Sequence, residues 1–547
     1  MGKVRLTGAE AIGKAMKESG VDYFFYVMGG MMIYDEIERE GVKTVLCRNE
    51  KSATNMADGY ARVTKKPTVC YSQHGAAAAI LSSMLYEPMY AHSPVIALTG
   101  SYPTLKKDSF SYQECYETKY FEQTCKFNAD VTDVSRLAEY LRTAIQVAVS
   151  GCPGPTHISM HTDMADVVAE MPEVYGNAVF SKVPPFRPRA EPERIAEAAK
   201  LLATAERPVM LCGNGVHLSG AYDEVKALAE MLMIPVVTNP NGKGCFPEDH
   251  ALYMGVMGTY GRPVTNDIVR EADVLFLVAT RAGRMQMEEF TSPVPGTSKI
   301  IHLDIDPVAI GRNYKPDVAL VGDAKVTLQE LSSIIKGLTT TSRTSRERLS
   351  ELSKRVKEYE DSVKQLSSDA APIKPQRLMR EVSKFLRQGD IVVSDTGNML
   401  SWTIRFLKLR ETGSVFLPAG GTLGSSFALA LGASFAAKEG QRIIHMTGDG
   451  GMGYNLVDLE TAKRYNDQRV PMVTVVNNNS VLGSEKFPFT ELNYAKVAEG
   501  FGCYGVRVEK PEEIGDALAG ALSSGKPAIV DVVTDKTERA PSRVRYL

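Results

Sequence analysis

The sequence predicts an α/β protein made of three doubly wound, parallel-sheet units. Short β-branched runs alternate with longer helical patterns almost from end to end, which is the pattern of repeated strand–helix units. Two segments of different composition interrupt the alternation. The length, 547 residues, exceeds what one compact core accommodates. In chain order, a helical pattern over Ala9–Ser19 is followed by strand-like Thr68–Tyr71 and Pro94–Leu98. Residues 176–192 then break the rhythm, and the prolines of Lys182-Val183-Pro184-Pro185-Phe186-Arg187-Pro188 suit an extended connector. Ile195–Ala205 resumes as helix and Val274–Val278 as strand. A second break at 338–370 opens on Thr339-Thr340-Thr341-Ser342-Arg343. It becomes strongly charged through Lys354-Arg355-Val356-Lys357-Glu358, a linker containing a solvated helix. The last unit carries strand-like Val473–Val476. The resulting units are 1–175, 190–338 and 370–547.

Composition narrows the function classes. Apolar residues are 44% and charged residues 23%, which is ordinary for a folded chain and unlike a disordered or fibrous one. The net charge of -2 gives no reason to expect nucleic acid as a partner. No uncharged apolar run reaches the roughly 18–20 residues that span a bilayer, so no membrane partner is expected. Met1–Thr7 lacks the apolar core of a signal peptide and leads directly into the first helical pattern, and Gly2 alone does not make a myristoylation site. The eight cysteines include no CxxC and no close Cys/His cluster, which suits reduced thiols in a cytoplasm.

The strongest chemical signal is Ile443-Ile444-His445-Met446-Thr447-Gly448-Asp449-Gly450-Gly451-Met452-Gly453, followed by Val473-Thr474-Val475-Val476-Asn477-Asn478-Asn479. Each is an apolar strand ending in small or amide residues, and ligands of parallel sheets gather at the carboxyl ends of strands. Asp449 and Asn479 offer hard oxygens that suit Mg²⁺ shared with a phosphate-bearing ligand. Gly448, Gly450 and Gly451 let the backbone approach phosphate, and the helix behind them presents free N–H groups. Either half alone reads as a tight turn; the pair in one unit is far more specific. It resembles the GDG…NN signature of thiamine-diphosphate (ThDP) enzymes, here with 27 residues between Gly450 and Asn478. Three consecutive asparagines leave the register open. Asn479-Ser480-Val481-Leu482-Gly483 matches the family's N-x-x-(L/Y)-G run, which implies Asn479 as metal ligand beside Asp449, with the Val481 carbonyl as a third.

The resemblance extends over nearly the whole chain and implies a pyrimidine-binding unit, a central unit and a diphosphate-binding unit. Leu46-Cys47-Arg48-Asn49-Glu50 with Ala57-Asp58-Gly59-Tyr60-Ala61-Arg62 is similar to the family's strand-end glutamate and its helix. It implies that Glu50 bonds the aminopyrimidine ring and drives its imino tautomer, a task suited to a carboxylate in a dry cleft. Gly420–Gly424 resembles the segment that receives the pyrimidine amino group, with Gly421 as acceptor and Leu423 as the wedge that bends the cofactor. Asp395-Thr396-Gly397-Asn398-Met399 resembles the diphosphate-side loop, implying contacts from Asn398 and Met399 together with Gly448, Gly450, Gly451 and Met452. Leu303–Pro307 and Ile310–Tyr314 resemble the central unit of acetolactate-synthase-like members.

The substrate side departs from that pattern. Tyr26-Val27-Met28-Gly29-Gly30 resembles a mobile loop reading Y-P-G-G in acetolactate synthases, with Met28 in place of proline and Gly29 and Gly30 retained. Gln73-His74 replaces Gly-Pro of an S-G-P-G-A segment; His74 at a strand end suits protonating an alkoxide or orienting an acceptor carbonyl, and equally suits a structural role. Phe110-Ser111-Tyr112-Gln113-Glu114 resembles the F-Q-E pocket segment, which implies Gln113 as a catalytic contact to substrate or intermediate and Tyr112 as a pocket residue. Ser484-Glu485-Lys486 stands where those enzymes are more apolar, so a cleft-facing Ser484 and Glu485 would favour a more polar substrate. Tyr253–Thr259 and Ala279-Thr280-Arg281 are similar to flavin-contacting segments, but Ala282-Gly283-Arg284-Met285-Gln286 departs from them. FAD or an ADP/CoA-type ligand there stays open.

The expected function is therefore a ThDP- and Mg²⁺-dependent enzyme that makes or breaks a C–C bond beside the carbonyl of a 2-oxo acid or aldehyde, tilted toward carboligation. A 2-hydroxyacyl-CoA lyase or a decarboxylase, and a nucleotide-binding relative with a dead ThDP site, are the competing readings. The family's arrangement, in which one subunit's pyrimidine unit faces its neighbour's diphosphate unit, implies a homodimer or homotetramer.

Overall fold

The computed structural model describes residues 2–338, 346–410 and 413–540; Thr339–Arg343, the start of the second linker, lie outside them. Three six-stranded sheets, each all-parallel, carry the fold. In spatial order the first runs Lys43–Leu46, Tyr23–Tyr26, Thr68–Ser72, Val95–Ser101, Thr156–His161, Phe127–Val131. The third runs Val415–Pro418, Ile391–Ser394, Ile443–Gly448, Met472–Asn478, Ala528–Val533, Tyr504–Val508. Numbered within each sheet, both follow 2-1-3-4-6-5. The middle sheet runs Tyr253–Val256, Val236–Thr238, Val209–Cys212, Val274–Val278, Lys299–Asp304, Val318–Val321, the order 3-2-1-4-5-6 found in dinucleotide-binding folds.

The strands form where the sequence has β-branched runs, and their burial explains the absence of alternation. Val95–Ser101, Thr156–His161, Val274–Val278 and Met472–Asn478 are buried at every position, because helices cover both faces of a parallel sheet. The first element differs from expectation. Lys3–Thr7 is a strand, paired antiparallel with Val168–Pro172 some 160 residues on, and the helix starts behind it at Gly8. Such a non-local pairing has no signature in a local window. Thr7 then caps that helix, Gly8–Glu18, in a reciprocal box: its hydroxyl accepts from the Glu10 amide at 3.1 Å and its amide donates to the Glu10 carboxylate at 2.7 Å.

One apolar core joins the two outer units. Helix Glu50–Thr64 lies against helix Ser426–Ala436, and Met56, Ala57 and Tyr60 pack with Phe427, Leu429 and Ala433. The backbones approach so closely that a Cβ on Gly59 would sit 2.0 Å from the Leu429 carbonyl oxygen, and one on Gly432 would sit 2.0 Å from that of Met56. Helix Ser426–Ala436 is apolar on every face because it is enclosed on every face. The linker helix, Arg346–Ser362, is charged along its outer face and docks on the central unit through Leu349 and Leu352, with Arg355 paired to Glu271 at 2.8 Å. No helix of the described residues is long and apolar enough to cross a membrane.

Candidate active site

The two halves of the signature meet. Strand Ile443–Gly448 ends in Asp449 and the neighbouring strand Met472–Asn478 ends in the asparagine run, with Gly448 in register with Asn477. Asp449 is buried; its Oδ1 accepts from the Gly450 amide at 2.8 Å, and the Ser480 amide also donates to the carboxylate. Its Oδ2 is enclosed with no hydrogen-bond partner among the described residues. Burial pushes this carboxyl up to about 6 against those two amide donors, with Asp531 adding to the rise. An enclosed, unpaired carboxylate oxygen of this kind is what a hard cation would complete. No cluster of three His, Cys, Asp or Glu side chains suited to a metal occurs among the described residues. A cation here would therefore rest on Asp449 and neutral oxygens, a set that suits Mg²⁺ sharing a phosphate. Asn479 Oδ1 lies in the same turn and accepts from the Val481 amide at 3.3 Å, while Ser480 takes the left-handed conformation, φ 55°. Asn478 points elsewhere, donating to the Leu492 carbonyl and to Asp531, both at 2.9 Å.

A cavity of about 450 Å³ opens beside these groups, lined by Asp449, Gly450, Tyr454, Asn478, Phe489 and Tyr494 among others. Behind the Gly448–Gly451 turn lies a residue that sequence reasoning left without a role. Asp395 is buried at the end of strand Ile391–Ser394, accepting from the Thr396 and Gly424 amides and, at 2.9 Å, from the Thr447 hydroxyl. A Cβ on Gly451 would stand 1.9 Å from Asp395 Oδ2, so the glycine makes room for this strut. Asn398 begins helix Asn398–Phe406 and donates to the Gly483 carbonyl at 3.3 Å, tying the first loop of the unit to the loop after Asn479. The side chains of Met399 and Met452 are buried in apolar core, and Val481 is buried beside the turn. Ser484 is half-buried and Glu485 exposed on the same loop.

The pyrimidine-like unit presents its residues at strand ends too. Glu50 is the first residue of helix Glu50–Thr64, capped by Asn49, and is half-buried with no hydrogen bond or ion pair to its carboxylate among the described residues. Gly421 is exposed and Leu423 half-buried on a loop held by a second unforeseen residue: the buried Glu87 carboxylate accepts from the Gly420 amide at 2.6 Å and the Thr422 amide at 2.7 Å. A glutamate inside Tyr86-Glu87-Pro88 gave no local hint of this span.

His74 is 6% exposed and its Nε2 lies 2.8 Å from the Tyr112 carbonyl. That contact makes Nε2 the donor and leaves Nδ1 enclosed with no hydrogen-bond partner among the described residues. The loop carrying Tyr112 and Gln113 leans on this turn: Gln113 has φ 53°, and a Cβ on Gly75 would meet the Gln113 side chain at 2.6 Å. Phe110 and Tyr112 are exposed. Gly29 and Gly30 close the far side, with the Gly29 carbonyl accepting from Tyr71 at 2.5 Å and a Cβ there meeting Gln73 at 2.7 Å.

Strand ends of the central sheet line another cavity with Tyr90, His92 and Cys152 of the first unit, Asn214, Thr280, Arg281, Asp304 and Asp323 facing it. Arg281 stacks over Tyr90 at 5.3 Å. The Tyr253–Thr259 segment does not line it.

Three family descriptions match in series: thiamine pyrophosphate enzyme, N-terminal TPP binding domain, over residues 6–129; its central domain over 195–331; and its C-terminal TPP binding domain over 395–532. The probable acetolactate synthase large subunit of Methanocaldococcus jannaschii is 35% identical over 563 aligned residues, covering 98% of this chain and 93% of that protein. That of Methanococcus aeolicus is 32% identical, covering 97% and 92%. The acetolactate synthase large subunit of Parasynechococcus marenigrum is 29% identical, covering 96% and 87%. The chain thus belongs to the thiamine-pyrophosphate enzymes, as an acetolactate-synthase-like, ThDP-dependent carboligase.

Proposed function

We infer that this enzyme binds ThDP with Mg²⁺ and joins two carbonyl compounds, a 2-oxo acid serving as donor and a second 2-oxo acid or aldehyde as acceptor. The observation that carries the reading is the enclosed, unpartnered Asp449 Oδ2 beside the Asn479–Val481 turn, at adjoining ends of parallel strands. When bound, ThDP supplies the electron sink that lets a bond next to a carbonyl form or break. Asp449, Asn479 and the Val481 carbonyl hold the metal; Gly448, Gly450 and the loop of Asn398 present backbone and amide donors to the diphosphate. Leu423 and Gly421 set the position of the pyrimidine. Glu50, whose carboxylate has no competing partner among the described residues, holds a proton toward the pyrimidine ring. His74, whose Nδ1 has no hydrogen-bond partner among the described residues, accepts a proton or, once charged, returns one to a nascent alkoxide. Gln113, Tyr112, Gly29 and Gly30 shape the acceptor space, and Ser484 and Glu485 bias it toward polar acceptors.

The assembly is a homodimer or homotetramer. Apolar side chains surround both half-sites and stand exposed in a single chain: Met28, Met32, Phe110 and Tyr112 near one, Phe487 and Phe489 near the other. Patches of this kind belong at an interface. Eight cysteines without a disulfide among them suit a cytoplasmic setting.

A panel of 2-oxo acids and aldehydes, supplied with ThDP and Mg²⁺ and followed by product mass and CO₂ release, tests this. Pyruvate with a second 2-oxo acid should give one CO₂ and one condensed product. Release of CO₂ with only aldehyde formed would make the enzyme a decarboxylase instead.

A further inference from the structure

A second groove lies away from both the cofactor cavity and the central-unit cavity. It has a volume of about 650 Å³ and runs between the end of the linker helix, the turn Lys364–Ser367, helix Pro375–Phe385 and the segment after helix Asn398–Phe406. Its lining is unusual for a chain of net charge -2: seven cationic side chains, Arg262, Lys364, Arg380, Lys384, Arg405, Lys408 and Arg410, against two acidic ones, Glu360 and Asp361.

Part of that positive charge is left without an acidic partner among the described residues. Glu360 is shared, accepting from Arg262 at 2.9 Å with one oxygen and from Lys408 at 2.9 Å with the other. Lys384 is satisfied by Glu381 at 2.9 Å. Among the described residues Arg380 donates to neutral groups, the Leu366 carbonyl and the Ser367 hydroxyl. Lys364 and Arg410 are exposed and have no hydrogen-bond or ion-pair partner among the described residues. Like charges gathered in a concave, partly desolvated wall repel one another and focus a positive potential into the groove. The cost is removed when a multiply charged anion occupies it. Guanidinium forks from Arg380 and Arg410 match phosphate oxygens bidentately, and the Ser367 hydroxyl is a further donor on the wall. Val363, Leu366 and Phe406 supply an apolar floor, which suits a phosphate carried on an organic body.

We propose that this groove is a binding site for a small, multiply charged phosphate-bearing anion, held between Lys364 of the linker and Arg380, Lys408 and Arg410 of the C-terminal unit. Because Glu360 ties the linker helix to Arg262 of the central unit and to Lys408 of the C-terminal unit, an anion here adds a bridge at the junction of three segments. Occupancy therefore stiffens that junction.

The protein carries its own reporter. Its single tryptophan, Trp402, is buried and stacks on Phe406 of the groove floor with ring centroids 6.0 Å apart. The experiment titrates inorganic pyrophosphate into the holoenzyme saturated with ThDP and Mg²⁺, at low ionic strength, following Trp402 fluorescence and heat of binding. Wild type should show saturable binding that weakens steeply with salt, and the double variant Lys364→Glu/Arg410→Glu should bind at least tenfold more weakly while keeping its turnover and unliganded melting temperature. Arg281→Gln, in the central-unit cavity, should bind as wild type does. Equal binding by the charge-reversed and wild-type enzymes, loss of binding only in Arg281→Gln, or no saturable binding at all would overturn the site. Citrate binding as tightly as pyrophosphate would overturn its assignment to phosphate.

Discussion

The first and third units are the same scaffold put to different use. Both wind six parallel strands in the order 2-1-3-4-6-5, and both offer their functional residues at the carboxyl ends. At the third sheet those ends give oxygen and bare backbone: Asp449 with an unpaired Oδ2, the Asn479 turn, and glycines that bring the main chain close. At the first sheet they give side chains of proton-transferring type: Glu50, with no hydrogen bond or ion pair among the described residues, and His74, with Nε2 fixed on the Tyr112 carbonyl and Nδ1 enclosed without a partner. The strand order is the same and the strand-end residues differ, so one scaffold can present hard oxygens in one unit and proton-transferring side chains in the other.

Breaking that division of labour should give the largest effects. Asp449→Ala removes the anionic anchor, and retention of ThDP with Mg²⁺ after gel filtration should fall by about 100-fold or more. Undiminished retention would move the anchor elsewhere. Glu50→Gln should keep the cofactor yet lose about 10²- to 10⁴-fold in kcat, since an amide cannot hold or give the proton. If one subunit's first unit works on its neighbour's third, mixing these two inactive variants after dissociation and reassembly should return part of the activity, because some hybrid clefts inherit neither change. Full subunit exchange without recovery would place both halves of a site in one chain.

A structural break comes next. Gly59→Ala drives a methyl into the Leu429 carbonyl where the two units share helices, and overpacking of this kind costs about 1–3 kcal/mol. The melting temperature should drop while ThDP affinity per folded molecule holds; an unchanged melting temperature would mean that the helices slide apart freely. His74→Ala should be milder, about tenfold or less in kcat or in product partition with the cofactor still bound. Unaltered kinetics on the true substrate would assign the histidine to holding the Tyr112 loop.

Much of this was legible in the chain. Strand runs buried on both faces need only β-branched residues in sequence order, so Val274–Val278 was located to the residue. The signature halves, Gly448–Gly451 and Asn477–Asn479, are short, sit on adjoining strands, and carry their chemistry in residue type alone. What escaped depends on partners far along the chain. Lys3–Thr7 is a strand only because Val168–Pro172 lies beside it. Glu87 looked like any helix glutamate until its carboxylate met the Gly420 and Thr422 amides. Gly451 suggested a phosphate approach, yet its missing side chain is filled by Asp395, 56 residues earlier in the chain.

The smallest expected effect probes the seam between the two scaffolds. Asp458 of the third unit is buried and accepts from Ser52 of the first at 2.6 Å, and its Oδ1 has no partner among the described residues. Burial pushes its carboxyl from 3.8 up to about 6, although the Ser52 hydroxyl, Lys51 and Arg48 pull it down and Glu460 adds to the rise. Because the folded-state value is the higher one, the folded protein keeps a proton that the unfolded chain releases between about pH 4 and 6. Stability from this group is therefore whole at the acid end of that window and is lost as pH rises through it, up to about 3 kcal/mol by pH 7. Asn in its place keeps an acceptor for Ser52 and never ionises. The melting temperature of Asp458→Asn minus that of wild type should climb from pH 4 to pH 7 and then level off. A difference that instead falls over the same range would mean that the ionised carboxylate is the favoured form at the seam, held by Lys51 and Arg48, and the two scaffolds would then be joined by charge rather than by a shared apolar core.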